Sequence, residues 1–215
     1  SHAEGWGYLM RWLTLFVLGC FGAAAAPALA QNNYASLLAE GDVMLRDFRF
    51  GSGETLPELR IHFATLGTPR RDAAGRSVNA VMVLHGTGGS GRQFLQPQFA
   101  DELYGPGQPL DIHRYYIILP DGIGHGRSSK PSDGLRMRFP AYDYADMVEA
   151  HRRMLVEGLG VNRLRLLMGT SMGCMMDFVW GTTYPGFAKA IMPTAGLPGE
   201  IAGRIQSEHR ITSDA

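Results

Sequence analysis

Apolar residues fall in short runs along this chain, separated by segments in which they recur at helical spacing. Ala80-Val81-Met82-Val83-Leu84 and Tyr115-Tyr116-Ile117-Ile118-Leu119 are unbroken, as in strands covered on both faces. They predict strands over 79–84 and 115–119, and the segments 164–168 and 188–192 predict two more. Between them, Met147, Val148, His151, Met154 and Leu155 share one face of a helix over 144–157. Asp143 is placed to cap its start and Gly158 to stop it. Gly173 to Tyr184 predicts a second helix, closed by Pro185, and Gln98 to Leu103 one or two helical turns. Ahead of all these, Val43 to Phe50 and Leu59 to Leu66 are strand-like, joined across Gly51-Ser52-Gly53 with no helix between. The pattern predicts an α/β fold, a mostly parallel sheet flanked by helices and begun by an antiparallel pair.

One run changes register into chemistry. Leu166-Leu167-Met168 leads into Gly169-Thr170-Ser171-Met172-Gly173 and then into the helix. A strand, then Gly-x-Ser-x-Gly, then a helix is the context of a nucleophile elbow. The turn is tight and strained, so the positions two before and two after the serine must be small, as Gly169 and Gly173 are. Ser171 is thereby lifted off the end of the sheet at a helix N-terminus, where peptide dipoles favour developing negative charge.

Attack by Ser171 on an ester or thioester carbonyl would create an oxyanion that needs two backbone N–H donors. Met172, the residue after the nucleophile, supplies one in this reading. Thr87 supplies the other, in the loop His85-Gly86-Thr87-Gly88-Gly89 after the third strand, where Gly86 and Gly88 let the backbone come close to substrate. His85 reads as a brace for that loop rather than a catalytic base. Asp121 and His125 read as shapers of a glycine-rich turn, since no third ligand has metal-site spacing. Gly86 to Gly91 yields a nucleotide fingerprint only if forced, so neither a metal nor a cofactor is called for.

Twenty basic and twenty acidic residues leave the chain neutral, so overall charge points to neither nucleic acid nor an anionic membrane surface. The N-terminus reads as a secretory signal: Met10-Arg11, an apolar stretch from Trp12 to Phe21, and Ala28-Leu29-Ala30 before Gln31. The expected product is secreted or periplasmic, starts at Gln31 and has no stable membrane span. Cys174 then remains as a single thiol; it sits in the first helical turn after Ser171, and its plain reading is packing. The expected divisions are 1–30 (upstream residues plus signal peptide), 31–41 (linker), 42–198 (α/β core) and 199–215 (polar tail).

The strand, the His85-Gly86 loop, the turn from Asp121 to Ser129 and the elbow, in this order, resemble the α/β-hydrolase superfamily. Gly169-Thr170-Ser171-Met172-Gly173 looks like its homoserine O-acetyltransferase-like branch. So do Asn79-Ala80-Val81, Asp146-Met147-Val148, Trp180 and Tyr184-Pro185. The resemblance covers about residues 42–200. It implies a ping-pong acyl transfer, in which Ser171 takes an acyl group from a small-molecule ester or thioester and passes it to an alcohol or to water. Two departures stand out: Cys174 where the branch usually has glycine, and a different oxyanion loop. The export signal also fits a secreted hydrolase better than a biosynthetic acetyltransferase.

The resemblance further implies a helical cap and two more strands after Met192, which carry the acid and the base of the triad. On that pattern the core is truncated before its last strands, and 199–215 begins a cap that is missing. Glu200 and His209 stand in the right order, with no strands to hold them. The expectation is that this chain alone turns over little. Three readings stay open: a secreted serine hydrolase or acyltransferase, a homoserine-type acetyltransferase relative, and a non-catalytic fragment. The oligomeric state is not legible.

Overall fold

The computed structural model describes residues 34–197 of the 215-residue chain. The signal-like segment, Gln31, Glu200 and His209 lie outside the described residues. Six strands form one sheet: β1 (Ala39–Arg49), β2 (Thr55–Leu66), β3 (Ala80–Leu84), β4 (Tyr116–Pro120), β5 (Leu166–Thr170) and β6 (Ile191–Thr194). Their order is β1-β2-β4-β3-β5-β6. β1 pairs with β2, and β2 with β4, antiparallel; the remaining pairs are parallel. This is the mostly parallel sheet with an antiparallel start that the apolar pattern predicts.

Helices are α1 (Pro97–Leu103), α2 (Tyr144–Arg153) and α3 (Met172–Thr183). Asp143 caps α2 as expected, its carboxylate accepting from Ala145 N at 2.8 Å and Asp146 N at 3.1 Å. Asp146 answers by accepting from Asp143 N at 3.1 Å, which completes a capping box. The last turn, Met154–Gly158, widens to π geometry, with Leu159 N donating to Met154 O at 3.0 Å.

Alternation sorts the central strands into two cores. Met82, Leu84 and Ile118 face a cluster with Met147, Met154 and Trp180 from α2 and α3. Val81, Val83, Ile117 and Leu119 face the other side, against Phe94, Ala100 and Tyr104. β3 and β4 are buried at every position, whereas all four residues of β6 are exposed.

Several boundaries differ from the sequence-based expectation; β2 begins at Thr55 rather than Leu59, and β5 runs over Leu166–Thr170 rather than 164–168. The segment 31–41 is not linker throughout. Tyr34–Leu37 forms a 3-10 turn, and the Tyr34 ring packs edge-on against Tyr104 at 5.6 Å. β1 starts at Ala39 because Ala39 through Asp42 pair with Thr65 through His62 of β2, and cross-strand pairing overrides the polar local sequence. β6 starts at Ile191 rather than residue 188; Ala188 makes one isolated bridge to Leu164, and the ladder resumes at Leu167–Ile191. Among the described residues, no helix is long and apolar enough to cross a membrane.

Candidate active site

Ser171 stands between β5 and α3 with φ 55° and ψ −113°, a region that L-residues rarely occupy. The surrounding backbone holds it there. Ser171 N donates to Thr194 O at 3.0 Å, and Met175 N donates to Ser171 O at 3.2 Å. The two flanking glycines are required sterically. A Cβ on Gly169 would lie 2.3 Å from the carbonyl of Gly173, and one on Gly173 would lie 2.4 Å from Leu84 O. No rotamer change relieves either clash, because both meet backbone. The result is an exposed serine at the carboxyl end of a strand whose positions alternate between half-buried and buried. Met172 follows and opens α3, and a helix cannot satisfy its own first N–H groups internally.

The loop after β3 comes to the same place. A Cβ on Gly86 would sit 3.2 Å from Ser171 Cβ and 3.8 Å from Oγ, so the backbone there passes close to the hydroxyl. Gly89 N donates to Gly86 O at 3.1 Å, closing a turn whose exposed tip carries Thr87. The structure therefore brings together Ser171, Met172, Gly169, Gly173 and the loop bearing Thr87.

His85 is bound on both nitrogens. Gly122 N donates to Nε2 at 3.0 Å, which leaves Nδ1 to carry the proton and donate to Gly86 O at 2.8 Å. Burial lowers its pKa to about 4, so the ring is neutral and serves as a brace between two loops. Asp121 does the same with a carboxylate. Its Oδ1 accepts from Gly91 N and its Oδ2 from Arg127 N, each at 2.8 Å, while Ser128 Oγ donates to its carbonyl at 2.8 Å. His125 bonds the Ile123 carbonyl within the turn at 2.9 Å. Among the described residues, no group of three or more His, Cys, Asp or Glu side chains is placed to hold a metal.

Cys174 is buried, and desolvation raises its thiol pKa, which removes the helix N-terminus as a route to a reactive thiolate. One group escaped sequence reasoning. Asp177 lies on the inward face of α3 at 0% exposure, with both carboxyl oxygens unpartnered among the described residues. Desolvation pushes its pKa up to about 8, and the Gly169 backbone opposes this only in part. An aspartate inside a helix otherwise facing the core carried a signal, since Gly173, Cys174 and Trp180 flank it at helical spacing. Trp180 Nε1 and His151 Nδ1 are likewise buried without partners among the described residues. Among the described residues, no hydrogen bond reaches the Ser171 hydroxyl.

The chain matches the alpha/beta hydrolase fold family over residues 79–203. It is 35% identical over 185 residues to the homoserine O-acetyltransferase of Pelobacter propionicus, covering 78% of this chain and 48% of that protein. It is 39% identical over 159 residues to the homoserine O-acetyltransferase of Moorella thermoacetica, covering 67% of this chain and 41% of that one. In structure it resembles the acetyl esterase MekB, with TM-score 0.64 and 26% identity over 76% of this chain and 46% of the esterase. The chain thus spans about half the length of the curated relatives it matches.

Proposed function

Since this chain belongs to the alpha/beta hydrolase fold family, we propose that it is the nucleophile-bearing part of an acyl hydrolase or acyltransferase working through an acyl-enzyme on Ser171. The observation that carries this reading is the strained, exposed serine held between β5 and α3 by two glycines that admit no side chain. Strain of roughly 1–3 kcal/mol persists at such a residue only where the surroundings over-determine it. An elbow puts that cost to use by exposing Oγ at a helix N-terminus. Met172 and Thr87 contribute backbone N–H groups to the tetrahedral oxyanion, and each such donor is worth about 3 kcal/mol of the barrier. Asp121 and His85 hold the Thr87 loop at its distance from Oγ.

A serine hydroxyl at neutral pH is a weak nucleophile until a base takes its proton. That base lies outside the described residues, as Glu200 and His209 do, so the full catalytic set belongs to a longer assembly of residues than 34–197. The acyl donor is a small ester or thioester, and the acceptor is water or an alcohol. The homoserine O-acetyltransferase relatives favour transfer, while the acetyl esterase favours hydrolysis. The N-terminal apolar segment ending Ala28-Leu29-Ala30 favours export, with Gln31 as the first mature residue. N-terminal sequencing of exported protein checks that point, and a retained Met10 start contradicts it.

The functional test is p-nitrophenol release from p-nitrophenyl acetate, with and without an added alcohol, by the chain and by Ser171→Ala. Release that depends on Ser171, including a single-turnover burst, supports the reading, and the alcohol's effect on later release separates transfer from hydrolysis. Equal release by both proteins overturns it.

A further inference from the structure

The amino ends of the same strands hold a second feature that overall charge conceals. A cavity of about 310 Å³ opens there between the segment leading into β3 and the starts of β5 and β6. Arg76, Arg163, Arg165 and Lys189 line it, against one carboxylate, Asp72. That carboxylate is already spent. Its Oδ1 accepts from Ala74 N at 3.0 Å and Arg76 N at 2.9 Å, and its Oδ2 accepts from Arg76 Nε at 2.7 Å. Among the described residues, the side chains of Arg163, Arg165 and Lys189 meet no acidic partner.

Their convergence is set by the backbone. Leu164 bridges Ala188 in parallel register, and Lys189 N donates to Leu164 O at 2.9 Å. Successive residues of an extended chain face opposite ways. Leu164 points into the core, so Arg163 and Arg165 share the other face, and Lys189, one step past Ala188, joins them. The opposite wall is fastened to this one. Ser77 N donates to Asn162 Oδ1 at 2.9 Å, Asn162 Nδ2 donates to Gly75 O at 3.2 Å, and Arg71 donates to the carbonyls of Gly75 and Gly160.

We propose that this cavity is a binding site for a small, multiply charged oxyanion of the phosphate class. Three cations with no acidic partner among the described residues, held within one concave frame, repel each other, and an anion removes that cost. The chain has as many acidic as basic residues, so the cluster reflects segregation rather than excess. Two guanidiniums offer planar forks that match phosphate oxygens, and the ammonium adds a point charge. The concave, half-open shape favours a phosphate-bearing small molecule over a flat bilayer. The site lies on the order of 20 Å from Ser171, at the other end of β5, so its ligand is not the acyl substrate. This inference stands independently of the acyl-transfer reading.

The test uses inorganic pyrophosphate and the full chain in calorimetric titration at low ionic strength, with chloride at matched ionic strength as control. The expected result is one pyrophosphate per chain, weakened at least ~10-fold in R163S/R165S and to a smaller degree in Lys189→Gln. Both variants alter exposed residues, and unchanged urea midpoints confirm that they fold. A second arm offers vesicles of phosphatidylglycerol in phosphatidylcholine. Binding to vesicles that pyrophosphate does not displace would overturn the proposal in favour of a membrane surface. Equal pyrophosphate affinity in wild type and double variant, or no binding beyond chloride, would also overturn it.

Discussion

At its carboxyl end, β5 is crowded by its neighbours' backbone; ahead of its amino end, the backbone pairing continues and long charged side chains face a cavity. Around Ser171, Gly169, Gly173 and Gly86 bring carbonyls within distances that exclude any Cβ or leave it barely room. Around Arg163 and Arg165, the chain is exposed and the charges reach outward from a cavity wall. The first end tolerates no change in shape, and the second tolerates change in shape while depending on charge. The two ends of a single five-residue strand thus lead into a turn constrained by sterics and a cavity wall marked by charge.

The sharpest way to break this comparison is to substitute a residue at each end. Gly173→Ala forces a Cβ against Leu84 O and C, neither of which can move without shifting β3. The expected loss is about 3 kcal/mol or more, as for overpacked cores, read from urea unfolding. Arg165→Ser should change stability by less than about 0.5 kcal/mol, as exposed substitutions do. Comparable losses from the two would remove the distinction.

The second prediction concerns pH and the buried groups behind the elbow. His85 and His151 titrate at about 4 when folded and 6.5 when exposed. Between those values the unfolded chain holds more protons on them, so stability rises with pH up to about 6.5. Asp177 acts in reverse. It holds its proton to about pH 8 when folded but loses it near 3.8 when unfolded, so its contribution falls as pH rises between those limits. Below pH 6.5 the two histidines outweigh one aspartate; above it only Asp177 acts. Stability should therefore peak near 6.5 and then decline by roughly 1.4 kcal/mol per pH unit toward pH 8. Asp177→Asn should abolish that decline, and a flat wild-type profile would show that Asp177 has a partner in solution.

A smaller effect separates the loop from its anchor. Asp121→Asn replaces one charged acceptor among those holding Gly91 and Arg127. A net change of about 1.4 kcal/mol would speed hydrogen exchange at the Gly91 amide ~10-fold, while amides of β3 stay protected. The smallest effect is expected at Thr87. If its backbone is what matters to the oxyanion, Thr87→Ala should alter Ser171 reactivity by less than about 0.5 kcal/mol, measured against the variant's own stability.

The same contrast explains what was legible in the sequence. The elbow could be read because backbone crowding demands glycine at fixed spacing from the serine, and Leu166 to Met176 carries that spacing contiguously. The buried β3 and β4 could be read because a strand covered on both faces leaves an unbroken apolar run. β1 was legible only in part, since Ala39 to Asp42 owe their conformation to β2 rather than to local pattern. The cationic cavity left no trace in a neutral composition, because its charges come from residues 76, 163, 165 and 189 and converge only through register. Asp177 broke the apolar face of α3 and was visible there, yet its lack of partners is a property of the packed interior alone.

Acetylation of Ser171 is the most direct measure of the central claim. The chain would be treated with p-nitrophenyl acetate, quenched in acid and digested, and the acetyl group located by peptide mass spectrometry. Deacylation needs a base to activate water, so quenching in acid within the first turnover retains the acyl group. The account predicts one acetyl per chain on the peptide containing Ser171, absent from Ser171→Ala. Acetylation spread over other serines and lysines, with Ser171 unmodified, would contradict it.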